Sequence, residues 1–460
     1  MRHHFLIICL ILSSLVCRAQ DIHGYWQGYL HISNQDSLTV GIFVEQGDSL
    51  HIELDSPDQY LIGMAASKVS FTDSVLKWKA PSVNASFTGK LSDNGQRIEG
   101  TFTQRGQLPL TLERGHERTV INRPQTPLPP YPYSEEEIRI KDKEGKYVLI
   151  NGTLTMPQQQ PKALVILLTG SGWQNRDEEL FAHKPFLVIA DHLTRQGYAV
   201  FRYDDYPHSI FAKSTTYDFA DGVTLILDSF ARRSDLQTLK TGLLGHSEGS
   251  LVAAIVAARD KRISFIINLG GVAQNIPDVM LYQIRAINTA DSTMTEAEID
   301  NTVALSRQLY QALYKSKNSD KAFNTLIGIW EKQAAALTPE EQVRYGVTPE
   351  RKLAVIRQIC SPWFYTFFHL SPATYLKKIK CPVLSIGGEK DLQVDAVTNN
   401  ALFEQYLPKN AHHKFIVEPA ANHLLQPCIT GSPDEYGLIE TTIKPEVLRA
   451  IGEWLEDVGD

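Results

Sequence analysis

The sequence predicts an α/β protein with a mostly parallel sheet and a helical cap insertion, preceded by a small N-terminal antiparallel β-domain. Three observations carry this. Apolar residues alternate with period two over 24–113, five prolines punctuate 122–133, and from residue 163 onward buried apolar runs alternate with amphipathic helical patterns. At 460 residues, with 43% hydrophobic and 21% charged side chains, the chain has room for two or three packed units.

Residues 1–20 carry Arg2, an apolar run over 5–12 and a polar end at Cys17-Arg18-Ala19-Gln20, the pattern of a cleavable export signal. The run is too short to span a bilayer, so the expected location is periplasmic or secreted. Cleavage near Ala19 is preferred over lipidation at Cys17, because Val16 is bulkier than the residue expected before a lipidated cysteine. The formal charge is −7, or −9 once Arg2 and Arg18 are removed with that segment. Such a balance gives no electrostatic basis for binding nucleic acid. The remaining cysteines, Cys360, Cys381 and Cys428, show no metal-ligand spacing, and no dinucleotide or phosphate loop is present, so neither metal nor cofactor is expected.

Over 21–120, alternating segments at 38–44, 85–91 and 98–102, with turn chemistry such as Asp93-Asn94-Gly95, predict a β-sandwich or barrel. Tyr25, Trp26, Tyr29 and Trp78 are read as core in preference to a sugar-binding platform. The proline-rich stretch 121–134 is read as a stiff linker. In the region 135–460 the predicted strands are 163–168, 198–203, 241–244, 263–269, 383–386 and 414–417, with helices near 185–196, 219–232 and 250–258. Between 271 and 382 the strand rhythm lapses; this is too long for a loop and predicts a helical cap at about 275–375. The aromatic run 363–368 suits either a packing face or a substrate wall.

Gly245-His246-Ser247-Glu248-Gly249, between a buried strand and a helix, has the form of a nucleophile elbow. Glycines two before and two after the serine remove side chains that would collide within a strained strand-to-helix turn. A serine hydroxyl also needs an imidazole to take its proton and a carboxylate to hold that imidazole's tautomer. An oxyanion hole needs two N–H groups; the Glu248 amide is one, and Ser171 in the turn 169–172 is the preferred second, with Gly172 its competitor.

With 169–178 (TGSGWQNRDE), 202–205 (RYDD), 245–249, 388–391 (GEKD) and Asn422-His423, the sequence over 135–458 resembles the α/β-hydrolase superfamily, in particular a secreted bacterial branch related to dienelactone hydrolases and prolyl-oligopeptidase-like enzymes. The superfamily's order of Ser, acid, His selects Asp391, just after the strand 383–386, and His423, just past 414–417. Glu389 is the rival acid, whereas Asp395 suits a helix cap; His412 and His413 fall too early, and His246 is too constrained by the elbow. Two departures stand out: Tyr206-Pro207-His208-Ser209-Ile210-Phe211 replaces the usual glycine-rich turn, and Ser250 stands where a third glycine is common.

The resemblance implies a serine hydrolase that cleaves carboxylic esters through an acyl-enzyme, on small-molecule or glycan-linked substrates. A peptidase of the prolyl-oligopeptidase kind is the alternative, although about ninety residues of β-domain are too few for a multi-bladed propeller. A non-catalytic glycan- or envelope-binding protein is the reading from another class.

Overall fold

The computed structural model describes residues 21–459 except 33–35, 47–48, 105 and 292; the expected export signal lies outside the described residues. The chain divides into two compact units at residues 121 and 122.

The first unit is nine antiparallel strands: β1 (Gly24–His31), β2 (Ser37–Gln46), β3 (Leu50–Ser56), β4 (Leu61–Ala65), β5 (Ser67–Thr72), β6 (Val75–Ala80), β7 (Ala85–Leu91), β8 (Arg97–Thr103) and β9 (Gln107–Arg114). They form one sheet in the order β4-β3-β2-β1-β9-β8-β7-β6-β5, not the two sheets of a sandwich. Trp26, Ile42, Ile52, Leu76, Trp78, Phe87, Ile98 and Leu112 fill a single core, which is where the period-two alternation sends every second residue. Trp26 and Trp78 are therefore structural; of the four aromatics considered above, Tyr29 is the exposed one.

The second unit begins with β10 (Ser134–Lys141), β11 (Val148–Met156), β12 (Leu164–Leu168), α1 (Pro185–Arg195), β13 (Ala199–Asp204), α2 (His208–Phe211), α3 (Thr216–Phe230), β14 (Thr241–His246), α4 (Glu248–Arg259) and β15 (Ile263–Leu269). Seven helices follow: α5 (Ile276–Ala290), α6 (Glu296–Lys315), α7 (Ser319–Ala335), α8 (Pro339–Arg344), α9 (Pro349–Ile359), α10 (Pro362–Phe368) and α11 (Pro372–Leu376). The chain then returns to the sheet with β16 (Val383–Gly388), α12 (Ala396–Tyr406), β17 (Lys414–Glu418) and α13 (Pro445–Gly459).

The sheet order is β10-β11-β13-β12-β14-β15-β16-β17. It is mixed: β11 pairs antiparallel with both β10 and β13, while the pairings from β13 through β17 are parallel. Continuous apolar runs such as Leu164–Leu168 arise because both faces are covered. Leu164, Ile166 and Leu168 join the core shared with α3 and α4, and Val165 and Leu167 join the core under α1 and α13. The helices between β15 and β16 extend the first of these cores through Leu309, Leu313, Leu326, Trp330, Ile356 and Phe368.

The proline-rich stretch is not a free spacer. Its Arg123 donates to the carbonyls of Phe181 and Gly437, and Gln125 bonds the backbone of Thr442 and Ile443, so this segment is part of the second unit. Because β12 pairs with β13 on one side and β14 on the other, the chain reverses direction across the sheet there. Such a switch point opens a crevice at the carboxyl ends of the two diverging strands.

Candidate active site

Two loops meet at that crevice: residues 169–172 after β12 and the elbow between β14 and α4. Ser247 has φ 51° and ψ −116°, a conformation that side-chain-bearing residues rarely adopt. A Cβ on Gly245 would lie 2.3 Å from the Gly249 carbonyl, and one on Gly249 would lie 2.2 Å from the Leu168 carbonyl oxygen. Gly249→Ala is expected to force β12 away from α4 and to lower stability by about 2–3 kcal/mol, read by chemical denaturation; an unchanged midpoint would contradict this packing. Ser250 fits without a third glycine because its Oγ donates to the Ser247 carbonyl and accepts from Val272 N–H.

His423 Nδ1 lies 2.7 Å from Asp391 Oδ2, with both side chains buried. The other carboxylate oxygen, Oδ1, accepts from the Gln393 and Val394 amides, each at 2.8 Å. Gly388 permits the close approach of the two loops, since a Cβ there would lie 2.3 Å from the Ala421 carbonyl. The His423 loop is itself shaped by Asn422, whose Oδ1 accepts from the Leu424 and Gln426 amides.

Ser247, Ser171 and His423 line one cleft of about 120 Å³, together with Gln174, His183, Gln393, Tyr436 and Thr442. Glu248 stands at the first position of α4, so its amide belongs to the unsatisfied first turn of that helix. The neighbouring Gly170 amide is committed, donating to Glu178 Oε1 at 2.7 Å. Of the rival residues, Glu389 accepts from Ala420 N–H, Asp395 caps α12, His412 faces Asp457, and His413 accepts from Val383 N–H.

The motifs 169–178 and 202–205 interlock. Arg202 pairs with Asp177, Arg176 with Asp204 at 2.7 Å, and Asp205 accepts from Gln174 N–H and Thr169 Oγ1. Separate in sequence, they form one frame around the turn that carries Ser171. The departure at 206–211 forms α2, where His208 lies 4.3 Å from the Trp173 ring and the Trp173 indole donates to the Tyr206 carbonyl. His183 was not selected from sequence; its ring meets Thr442 Oγ1, the Tyr436 carbonyl and Gln426, and burial pushes its pKa down to about 4, so it is neutral.

Two further buried carboxyls border the elbow. Burial pushes Glu248 up to about 7 against hydrogen bonds from Thr216 Oγ1 and from Trp363 Nε1 of α10. Burial likewise pushes Asp205 up to about 7, and the charges of Glu248 and Glu178 add to it. Between the ordinary carboxylate range near 4 and about 7, the folded protein keeps protons that the unfolded chain has released. Stability therefore falls as pH rises through that window and is regained below it. For Glu248 the expected fall is about 3 kcal/mol, read from denaturation at pH 5 and pH 8; Glu248→Gln should flatten the profile, and a wild type equally stable at both pH values would refute the assignment.

Sheet order, crevice and elbow together give the second unit the arrangement of an α/β-hydrolase fold. No protein-family profile matches the chain. It is similar to esterase EstD of Thermotoga maritima, 23% identical over 340 residues, which are 71% of this chain and 68% of that one. Among solved structures it is similar to a dienelactone hydrolase from Anabaena variabilis, with TM-score 0.40, 15% identity, and coverage of 71% of this chain and 99% of that chain. The corresponding values for Est1E from Butyrivibrio proteoclasticus are 0.39, 17%, 70% and 98%. Among the described residues, no helix is long and apolar enough to cross a membrane, no cluster of three or more His, Cys, Asp or Glu side chains is placed to hold a metal, and Cys360, Cys381 and Cys428 are free thiols.

Proposed function

We propose that this α/β-hydrolase is a serine carboxylic-ester hydrolase in which Ser247, His423 and Asp391 are the nucleophile, base and acid. The observation that carries the reading is the buried 2.7 Å Asp391–His423 contact beside a strained Ser247 in the same cleft. With Nδ1–H donated to Asp391, His423 presents Nε2 as a proton acceptor. Ser247 Oγ attacks the ester carbonyl as His423 takes its proton. The amides of Glu248 and Ser171 stabilise the oxyanion, and the alcohol leaves with the proton from His423. Water then attacks the acyl-enzyme through the same base, releasing the acid and restoring Ser247. The esterase similarity supports this class.

A peptidase that anchors an amino terminus needs an uncommitted carboxylate in its cleft. Glu178 is the carboxylate lining this one, and it is engaged by His246 and Gly170. Esters are therefore the expected substrates, with the polar wall of Gln174, Gln393 and Tyr436 facing polar groups of the acyl or alcohol part. The test is turnover of short- and medium-chain acyl esters beside aminoacyl and prolyl amides; amide cleavage without ester cleavage would reverse the assignment. Export, proposed from residues 1–20, is checked by fractionating cells that express the chain with and without that segment.

A further inference from the structure

Beside Ser247 lies a buried histidine–carboxylate pair that the proposed acyl-transfer steps do not use. His246, the last residue of β14, places Nδ1 2.9 Å from Glu178 Oε1 and Nε2 3.1 Å from the His423 backbone carbonyl. Both partners have lone pairs to offer, and a carboxylate and a carbonyl can only accept. A neutral imidazole has one donor and one acceptor nitrogen, so it cannot satisfy both contacts; the imidazolium, with two N–H donors, satisfies them together. Glu178 is equally committed: it is buried, held at φ 51°, and accepts the Gly170 amide on the same oxygen. The pair thus ties three loops to one another: the turn that bears Ser171, the elbow and the His423 loop.

The titratable groups facing His246 are Glu178 from the loop after β12, His423 from the loop after β17 and, behind it, Asp391 from the loop after β16. Asp205 in turn feels the charges of both Glu178 and Glu248. Burial works against a charge on the ring, but the Glu178 carboxylate and the His423 carbonyl outweigh it and raise the His246 pKa. The His246 and His423 rings are 4.9 Å apart, close enough for a cation on one to oppose a proton arriving on the other.

We propose that Glu178 keeps His246 as a permanent buried imidazolium, and that the pair positions the His423 loop and holds His423 free of a second proton in the resting enzyme. Glu178 and His246 are positioning residues; the inference rests on the esterase reading for its catalytic half. Glu178→Gln keeps the shape of the side chain and one acceptor oxygen, turns the other into an NH₂ donor, and removes the charge that fixes the imidazolium.

In Glu178→Gln, the acid limb of kcat/KM for an ester should move to higher pH by about 0.5 to 1 unit, a roughly 3- to 10-fold loss at a fixed pH on that limb with a smaller loss at the optimum. His246→Gln should move the limb the same way and lower kcat by about 10- to 100-fold. A uniform loss at every pH, with the limb unmoved, would mean that the pair only packs and would overturn the proposal. The second arm needs no variant enzyme to be active: nitrogen-15 imidazole spectra of the full wild-type chain, with His246 assigned by difference against His246→Gln, should show both ring nitrogens protonated from pH 6 to 8. A neutral His246 tautomer in that range would refute the imidazolium. If wild type cleaves no ester, or Ser247→Ala cleaves as well as wild type, the esterase reading and the catalytic half fall, while the spectra still decide the charge.

Discussion

Ester cleavage by Ser247→Ala is expected to fall about 10⁶-fold in kcat, with the fold retained, because the substitution removes the oxygen proposed to attack while leaving the Cβ that already sits in the strained turn. The remaining turnover should still exceed the uncatalysed rate by about 10³- to 10⁴-fold, since the oxyanion donors and the cleft stay in place. The measurement is single-turnover hydrolysis of one ester at high enzyme concentration, beside a thermal melt to confirm folding. A loss of less than 100-fold in a folded variant would mean that another group attacks the carbonyl.

The second large effect is expected in Asp391→Asn, about 10⁴-fold in kcat/KM. The geometry dictates why. Oδ1 accepts two backbone amides, from Gln393 and Val394, so the asparagine must place its oxygen there. Its NH₂ then faces His423 Nδ1 at the position where the carboxylate now accepts. The ring must accept at Nδ1 and carry its proton on Nε2, the tautomer that cannot take a proton from Ser247. Profiles of kcat/KM from pH 6 to 9 test this, and a variant within tenfold of wild type would show that Asp391 does not set the tautomer.

Much of this arrangement was legible in the residues. The elbow was readable because its glycines answer a local steric demand, and that demand is visible in the structure as backbone atoms 2.2–2.3 Å from any added Cβ. The placement of Asp391 and His423 was readable because each lies just past an apolar strand run whose place in the order is set by the alternation of strands and helices. The strands β10 and β11 were not recognised: β10 is a largely exposed edge strand with three consecutive glutamates, so its apolar signal is faint. The sequence left sandwich and barrel open, because strand alternation reports which residues face the core, not how many sheets enclose it; the strands form one sheet. That the proline-rich stretch docks on the second unit was not legible, because proline content reports stiffness, whereas docking depends on partners such as Phe181, Gly437 and Thr442, which lie 50 to more than 300 residues away in sequence.

Glu178 and His246 mark the division most clearly. The sequence alone determined the strand–elbow–helix unit, the alternating layers and the late acidic and histidine loops, because each follows from periodicity, turn sterics or chain order within a short window. Only the tertiary structure decided that a glutamate and a histidine 68 residues apart form a buried pair and that this pair touches the backbone of His423, 177 residues further on. A histidine's protonation state depends on what its two nitrogens meet, and those partners come from separate loops that only the folded sheet brings together.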